Sequence, residues 1–339
     1  MKAIIQTGVQ ELSVQDVAEP SVHDSEVLVE VSCAGLCGSD IHAYLQKGYE
    51  WVTYPRIMGH EYTGTVVDIG TAVDTVAVGD SIVEKPVQTC GTCGNCRAGR
   101  ENLCKDKRLT GFHADGGFAE YITVEADSVH RVPDLISPKH AALTEPLAVS
   151  ARGVYDRSTV EPTDTVVVQG PGPIGVFTAM LLDEMGADVV VTGLDTDAEF
   201  RLPLLDRLGI DTLNVESQTV IGFLEDAWGT PTADIVFDTT GDHVAIESAV
   251  DYVAMGGEIV ELGLPSNPCE LSLTSLVRSE VNIVTSYSAT WSNFEQATHV
   301  LERGGIDLDT IVDVYDIENA LQAFEDAIAG TTCKPVFSF

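Results

Sequence analysis

A chain of 339 residues is long enough for two domains with substantial cores. Its 53 acidic against 18 basic residues leave a formal charge of −35, spread over the whole length, so no basic face is available for nucleic acid. Molar salt shortens the Debye length to about 3 Å and relieves such self-repulsion, so the charge reads as adaptation to a high-salt cytoplasm, as in halophilic archaea. No apolar run approaches the ~20 residues that span a bilayer. Met1-Lys2-Ala3-Ile4 enters a strand-like run with no signal peptide, and a cytoplasmic protein is expected.

Residues 1 to about 150 read as β-rich and loop-rich. Residues 27–31, 63–70 and 78–83 carry the Val/Ile enrichment of strands and end in turn residues. Between them lie Cys37-Gly38-Ser39-Asp40-Ile41-His42 and Gly59-His60-Glu61. A thiolate, a neutral imidazole and carboxylates are the ligand set of an open, catalytic zinc site, which points to Cys37, His60 and an acid. Tyr44, Trp51 and Phe112 are expected to line a substrate pocket or to pack beneath it.

Cys90-x2-Cys93-x2-Cys96-x7-Cys104 is the most specific local signal. Four thiolates at that spacing saturate a tetrahedral zinc and leave no position for substrate, so the expected role is structural. An iron–sulfur cluster also takes four cysteines. Cys33, Cys269 and Cys333 remain, and small buried hydrophobes is the role expected of them.

From about residue 164 the texture changes to alternating strands and helices, the mark of a doubly wound α/β sheet. Residues 165–169 form a short apolar run suited to a strand buried on both faces. Gly170-Pro171-Gly172-Pro173-Ile174-Gly175 follows it and opens a helix over 173–185, the context a dinucleotide pyrophosphate requires. Further strands are expected at 188–192, 234–238, 257–262 and 282–286. The acid that would hold the ribose is less plain. Gly193 stands at the strand end, Asp195 lies 20 residues after Gly175, and Arg201 is the nearest arginine for a 2′-phosphate, leaving NAD and NADP both open. Ile317, Leu321, Phe324 and Ile328 fall on one helix face, and a last strand over 334–338 is expected to rejoin the N-terminal part.

These motifs together resemble the zinc-containing medium-chain dehydrogenases, the alcohol dehydrogenase superfamily, across essentially the whole chain. Within it, Cys37 to His42 and Glu145-Pro146-Leu147 are most similar to the sorbitol, polyol, sugar and threonine dehydrogenases. Ordinary alcohol dehydrogenases carry a cysteine ligand where this chain has Glu145. The resemblance implies a GroES-like β-rich catalytic domain over 1–150 and 290–339, a Rossmann NAD(P)-binding domain over 151–289, and homodimers or homotetramers. It implies two zinc ions per chain, the catalytic one held by Cys37, His60 and either Glu61 or Glu145. It also assigns Ser39 as proton acceptor and His42 as relay, with Asp40 orienting His60. Zinc would act there as a Lewis acid on a secondary hydroxyl of a polyol or sugar, with hydride passing to the nicotinamide. Threonine 3-dehydrogenase and a general secondary alcohol dehydrogenase are the rivals within this chemistry. A quinone or enoyl reductase is disfavoured because both zinc motifs are present. A non-catalytic metal- or dinucleotide-binding protein is disfavoured because Cys37, Ser39 and His60 are all retained.

Overall fold

Alternation along Glu26–Gly35 sends Val27, Val29 and Val31 into the core and Glu30 to water. Each buried valine contributes about 1.5–3 kcal/mol, which makes this strand the spine of its sheet. The computed structural model describes all 339 residues and divides into two units, Met1–Ala148 with Ala289–Phe339, and Val149–Ser288.

In the first unit Glu26–Gly35 pairs antiparallel with Glu61–Ile69, with Tyr121–Glu125 and, at its far end, with Lys334–Ser338. The seven-stranded sheet continues outward through Ser81–Glu84 and Val129–Arg131 on one side and Val312–Asp316 on the other. Lys2–Gly8, Glu11–Asp16 and Arg56–Ile57 form a second, three-stranded sheet over the same core. The final strand therefore closes a unit begun more than 300 residues earlier.

The helix Ala320–Ala329 departs from the expected face. Ala320, Ala323 and Phe324 are buried, whereas Leu321 and Ile328 are about half exposed. Ile317 lies in a separate 3-10 turn, Ile317–Asn319, so the period counted from it does not carry into the helix. Phe324 packs on Tyr44 with ring centroids 5.1 Å apart, and the Tyr44 hydroxyl donates to the Gln10 carbonyl. Tyr44 is thus a core residue and lines no pocket. Cys33 and Cys333 are buried as expected, but Cys269 is only half-buried, in a loop too polar to cover it.

In the second unit Val166–Val168 and Val190–Val191 are buried within a six-stranded parallel sheet. Its order is Asp211–Asn214, Asp188–Gly193, Thr165–Gln169, Ala233–Asp238, Val253–Glu261, Asn282–Thr285, the 3-2-1-4-5-6 arrangement of a Rossmann fold. Asp211–Asn214 is a polar edge strand too short to show a sequence pattern. The helix Pro173–Met185 starts with proline in its first turn and stops at Gly186, whose φ of 90° only glycine adopts freely. No helix is long and apolar enough to cross a membrane.

Candidate metal centres and the dinucleotide turn

Cys37 ends the approach from Glu26–Gly35 and caps the helix Gly38–Tyr44; its N–H donates to Asp40 Oδ2 at 3.2 Å. His60 and Glu61 arrive at the start of Glu61–Ile69. The turn before them demands glycine: Gly59 has φ +91°, and a Cβ there would lie 2.2 Å from the Phe118 ring. The two segments bring ligand atoms of Cys37, His60 and Glu61 within 4.8 Å of one another. Ser39 Oγ lies 3.4 Å from His60 Nε2, and Asp40 Oδ1 lies 3.5 Å from His60 Nδ1. Asp40 thus faces one imidazole nitrogen and leaves the other towards Ser39.

The electrostatics suit a cation. Burial pushes the Cys37 thiol up, and the Glu61 charge adds to this. Burial opposes charge on His60, yet Asp40 and Cys37 raise its pKa well above the ordinary value. Burial likewise opposes charge on Asp40, which His60 and Arg56 nevertheless hold below the usual carboxylate range. A divalent metal displaces the protons of such a set and takes their place. Glu61 Oε1 is buried with no hydrogen-bond donor, the kind of oxygen a metal satisfies.

The other Glu61 oxygen is committed. Lys334 Nζ donates to Glu61 Oε2 and, at 3.0 Å, to the Leu36 carbonyl. Glu145, at the start of the helix Thr144–Ala151, lies outside the closest ligand set, but burial pushes its carboxyl up to about 7 and Glu61 adds to the rise, opposed by His60. Lys334 has no counterpart in the sequence reading. The available signal was a lysine inside an otherwise apolar strand of a lysine-poor chain.

A wall of rings runs out from the centre. Phe112 is buried 5.4 Å from the His60 ring, braced by Arg56 4.9 Å over its face. Tyr49 and Trp51 follow at 5.4 and 6.1 Å from Phe112, and half-exposed Trp51 stacks on His113 at 4.8 Å. His42 is partly exposed on the helix that carries Ser39 and faces Tyr49 at 6.5 Å. Tyr49, Arg56 and His113 were not singled out from sequence.

The four lobe cysteines are brought together as a second set, with all sulfurs within 4.8 Å and four of the pairs separated by 3.5–4.0 Å. A tetrahedron of sulfurs about 2.3 Å from zinc has edges of about 3.8 Å. That is far beyond a disulfide bond, and all four are free thiols. The N–H groups of Thr92 and Cys93 pull Cys90 down to about 6, favouring the thiolate a metal needs.

In the second unit the glycine-rich turn has unequal members. A Cβ on Gly170 would press on Thr240, and one on Gly175 would lie 1.9 Å from the Gly170 carbonyl. Gly172 faces open space just before the helix N-terminus that begins with Pro173 and Ile174, where a pyrophosphate backbone can approach. Gly193 is enclosed, because a Cβ there would meet Leu202, Pro171 and Asp197 within 3.2 Å. Asp195 accepts from Asn214 at 2.7 Å, and Arg201 is paired with Asp197 at 3.3 Å. Both are held by protein partners.

Comparison with known proteins agrees with this geometry. Residues 23–134 match the alcohol dehydrogenase GroES-like domain, and residues 173–303 match the zinc-binding dehydrogenase family. D-arabitol-phosphate dehydrogenase of Enterococcus avium is 32% identical over 335 residues, 96% of this chain and 94% of the relative. The chain belongs to the zinc-binding alcohol dehydrogenase family. Sorbitol dehydrogenase of Halalkalibacterium halodurans is likewise 32% identical to this alcohol dehydrogenase, over 98% of each chain. A zinc-binding dehydrogenase of Sinorhizobium meliloti 1021, solved with NADP bound, superimposes with a TM-score of 0.92 at 28% identity, covering 100% of this chain and 99% of that one. As an alcohol dehydrogenase of this kind, the chain is a zinc- and NAD(P)-dependent oxidoreductase.

Proposed function

We propose that the chain oxidises a secondary hydroxyl of a polyol or sugar, reversibly, with Cys37, His60 and Glu61 holding the catalytic zinc and Glu145 standing by as a second acid. The observation that carries this is the Cys37–His60–Glu61 set, with Ser39 Oγ 3.4 Å from His60 Nε2. The named substrates of the relatives, a polyol and a polyol phosphate, support the same class. When bound, zinc would supply Lewis acidity to the substrate hydroxyl and the nicotinamide a hydride acceptor.

The chain's own residues do the remainder. Ser39 accepts the hydroxyl proton. His42, three residues further along the same helix face, passes it to solvent. Partial burial and Lys47 hold the His42 pKa below its ordinary value, so a neutral imidazole is present to receive it. Asp40 keeps the His60 ring in the orientation metal binding needs. Phe112 excludes water beside His60, and Trp51 with His113 offers a flat ring surface for the C–H face of a sugar. Cys90, Cys93, Cys96 and Cys104 would hold the second zinc as a staple for a loop with little apolar surface of its own.

The assembly we infer is a homodimer. Met255, Leu273, Val277 and Ile283 are exposed apolar residues on and around the open edge strand Asn282–Thr285, and such a patch suits a second copy of the chain.

The deciding experiment is a spectrophotometric screen of polyols, sugars, polyol phosphates and threonine against NAD and NADP at high salt, read as reduced nicotinamide. Turnover of a polyol or sugar class is expected. Turnover of threonine alone, or of none of them with full zinc occupancy, would overturn the assignment.

A further inference from the structure

Two carboxylates in the second unit take no part in the chemistry above. Asp238 and Glu261 end adjacent parallel strands, Ala233–Asp238 and Val253–Glu261, and are register partners, so their side chains project from the same face. Asp238 is fully buried and Glu261 is 8% exposed. One Asp238 oxygen, Oδ1, accepts from the N–H and hydroxyl of Thr240 at 2.8 and 2.7 Å. Asp238 Oδ2 and both oxygens of Glu261 have no donor.

Three buried acceptor oxygens without a donor are costly, and two ionised carboxylates side by side without a counter-ion are costlier still. The groups facing the pair from the surrounding elements bring little relief, the Gly263 N–H near Glu261 alone opposing its rise. Asp242, the cap of the helix His243–Ala249, is a further carboxylate, and Tyr252 and Cys269 are both pushed up and stay neutral. His243 is turned to Asp242 at 3.2 Å. A single proton between the two carboxyl groups supplies the missing donor and removes one of the charges.

The pair supports the dinucleotide turn directly. Thr239 Oγ1 donates to the Gln169 and Gly170 carbonyls at 2.7 and 3.2 Å. Cβ atoms built on Gly170 and Gly175 would each come within 2.8 Å of Thr240 or Thr239, so the turn rests on these two threonines. Asp238 fixes Thr240 from below, and the N–H groups of Leu262 and Gly263, which follow Glu261, bond the Asp238 carbonyl. Separation of the two carboxylates therefore moves the surface on which the glycines sit.

We propose that Asp238 and Glu261 share one proton, and that this proton positions the glycine-rich turn for dinucleotide binding, so that affinity falls when the proton leaves. The inference rests on the dinucleotide reading above. Burial and the neighbouring Asp238 push Glu261 up to about 8. A binding-competent form populated in proportion to that proton gives a Kd roughly tenfold weaker at pH 9 than at pH 7.

The test is fluorescence titration of the zinc-replete protein with NADH and NADPH from pH 6.5 to 9.5 at one ionic strength. The wild type should lose about tenfold in affinity between pH 7 and 9. Glu261→Gln, which copies the neutral form, and Asp238→Asn, which supplies a permanent donor, should each hold Kd within about twofold over that range. A flat wild-type profile would overturn the proposal, as would a Glu261→Gln profile as steep as the wild type. Saturable recovery at pH 9 on replacing Na⁺ by K⁺ would put a metal ion between the carboxylates and overturn it too. Failure of both dinucleotides to bind at pH 7 would remove the dehydrogenase reading along with it.

Discussion

Lys334→Met removes the buried ammonium that pairs with Glu61, the acid proposed as a zinc ligand. Both side chains of the pair are 1% exposed, and Gly35 packs against both: a Cβ there would lie 2.6 Å from Glu61 and 3.1 Å from Lys334. The variant leaves a buried carboxylate without compensation, a loss of about 3–5 kcal/mol. At about 2–4 °C per kcal/mol for a unit of this size, the melting temperature falls by about 6–20 °C. Circular dichroism melts of the zinc-replete protein measure it, with the low end expected where zinc takes up part of the freed charge. Adding Glu61→Gln neutralises the orphan and should recover more than half of the loss. A single variant within 2 °C of wild type, or a double variant no better than the single, would refute the claim that the pair is held by charge compensation. Burial opposes charge on Lys334, yet Glu61 and Cys37 raise its pKa above the ordinary 10.5. The stabilisation is therefore complete below that value and is lost as pH climbs through the folded one.

Metal analysis should find about two zinc per chain, and one or none in the wild type would delete a centre. Cys37→Ser should keep about one zinc and a near-native melt while losing turnover; wild-type activity in this variant would end the metal mechanism. Cys93→Ser should lose the other zinc, melt lower and become open to proteolysis between residues 90 and 104. Light scattering should give twice the 36.2 kDa chain mass for the wild type. Val277→Glu should give a monomer, and an unchanged dimer would move the interface elsewhere.

What could be read in advance was local. Val166 to Val168, the glycines after them and the cysteine spacing each state their requirement within about 15 residues, because a strand, a tight turn and a tetrahedral staple are short-range constraints. The metal-site acid was harder. Glu61 and Glu145 are equivalent on paper, and what separates them is spatial: Glu61 falls within the Cys37–His60 set and bonds Lys334, 273 residues away, whereas Glu145 lies outside that set. Aromatic roles stayed open in the sequence for the same reason. Tyr44 and Phe112 look alike in sequence, but Phe324 claims the first for the core and His60 faces the second. Asp238 and Glu261 read as unremarkable strand ends until parallel pairing set them side by side.

The dependence of Glu61 on Lys334 has a consequence for biosynthesis. The cysteine lobe is complete once residue 104 has left the ribosome, and the nucleotide unit once residue 288 has. The sheet beside Cys37, His60 and Glu61 still lacks Lys334–Ser338, the neighbour of Glu26–Gly35 on one side, until those residues are made. At about 5–20 residues per second, Glu61 stands without its cation for roughly 14–55 s while the intervening 273 residues are translated. In order of synthesis the residues of the staple come first, then those of the nucleotide unit, and the ion pair beside Glu61 waits for Lys334.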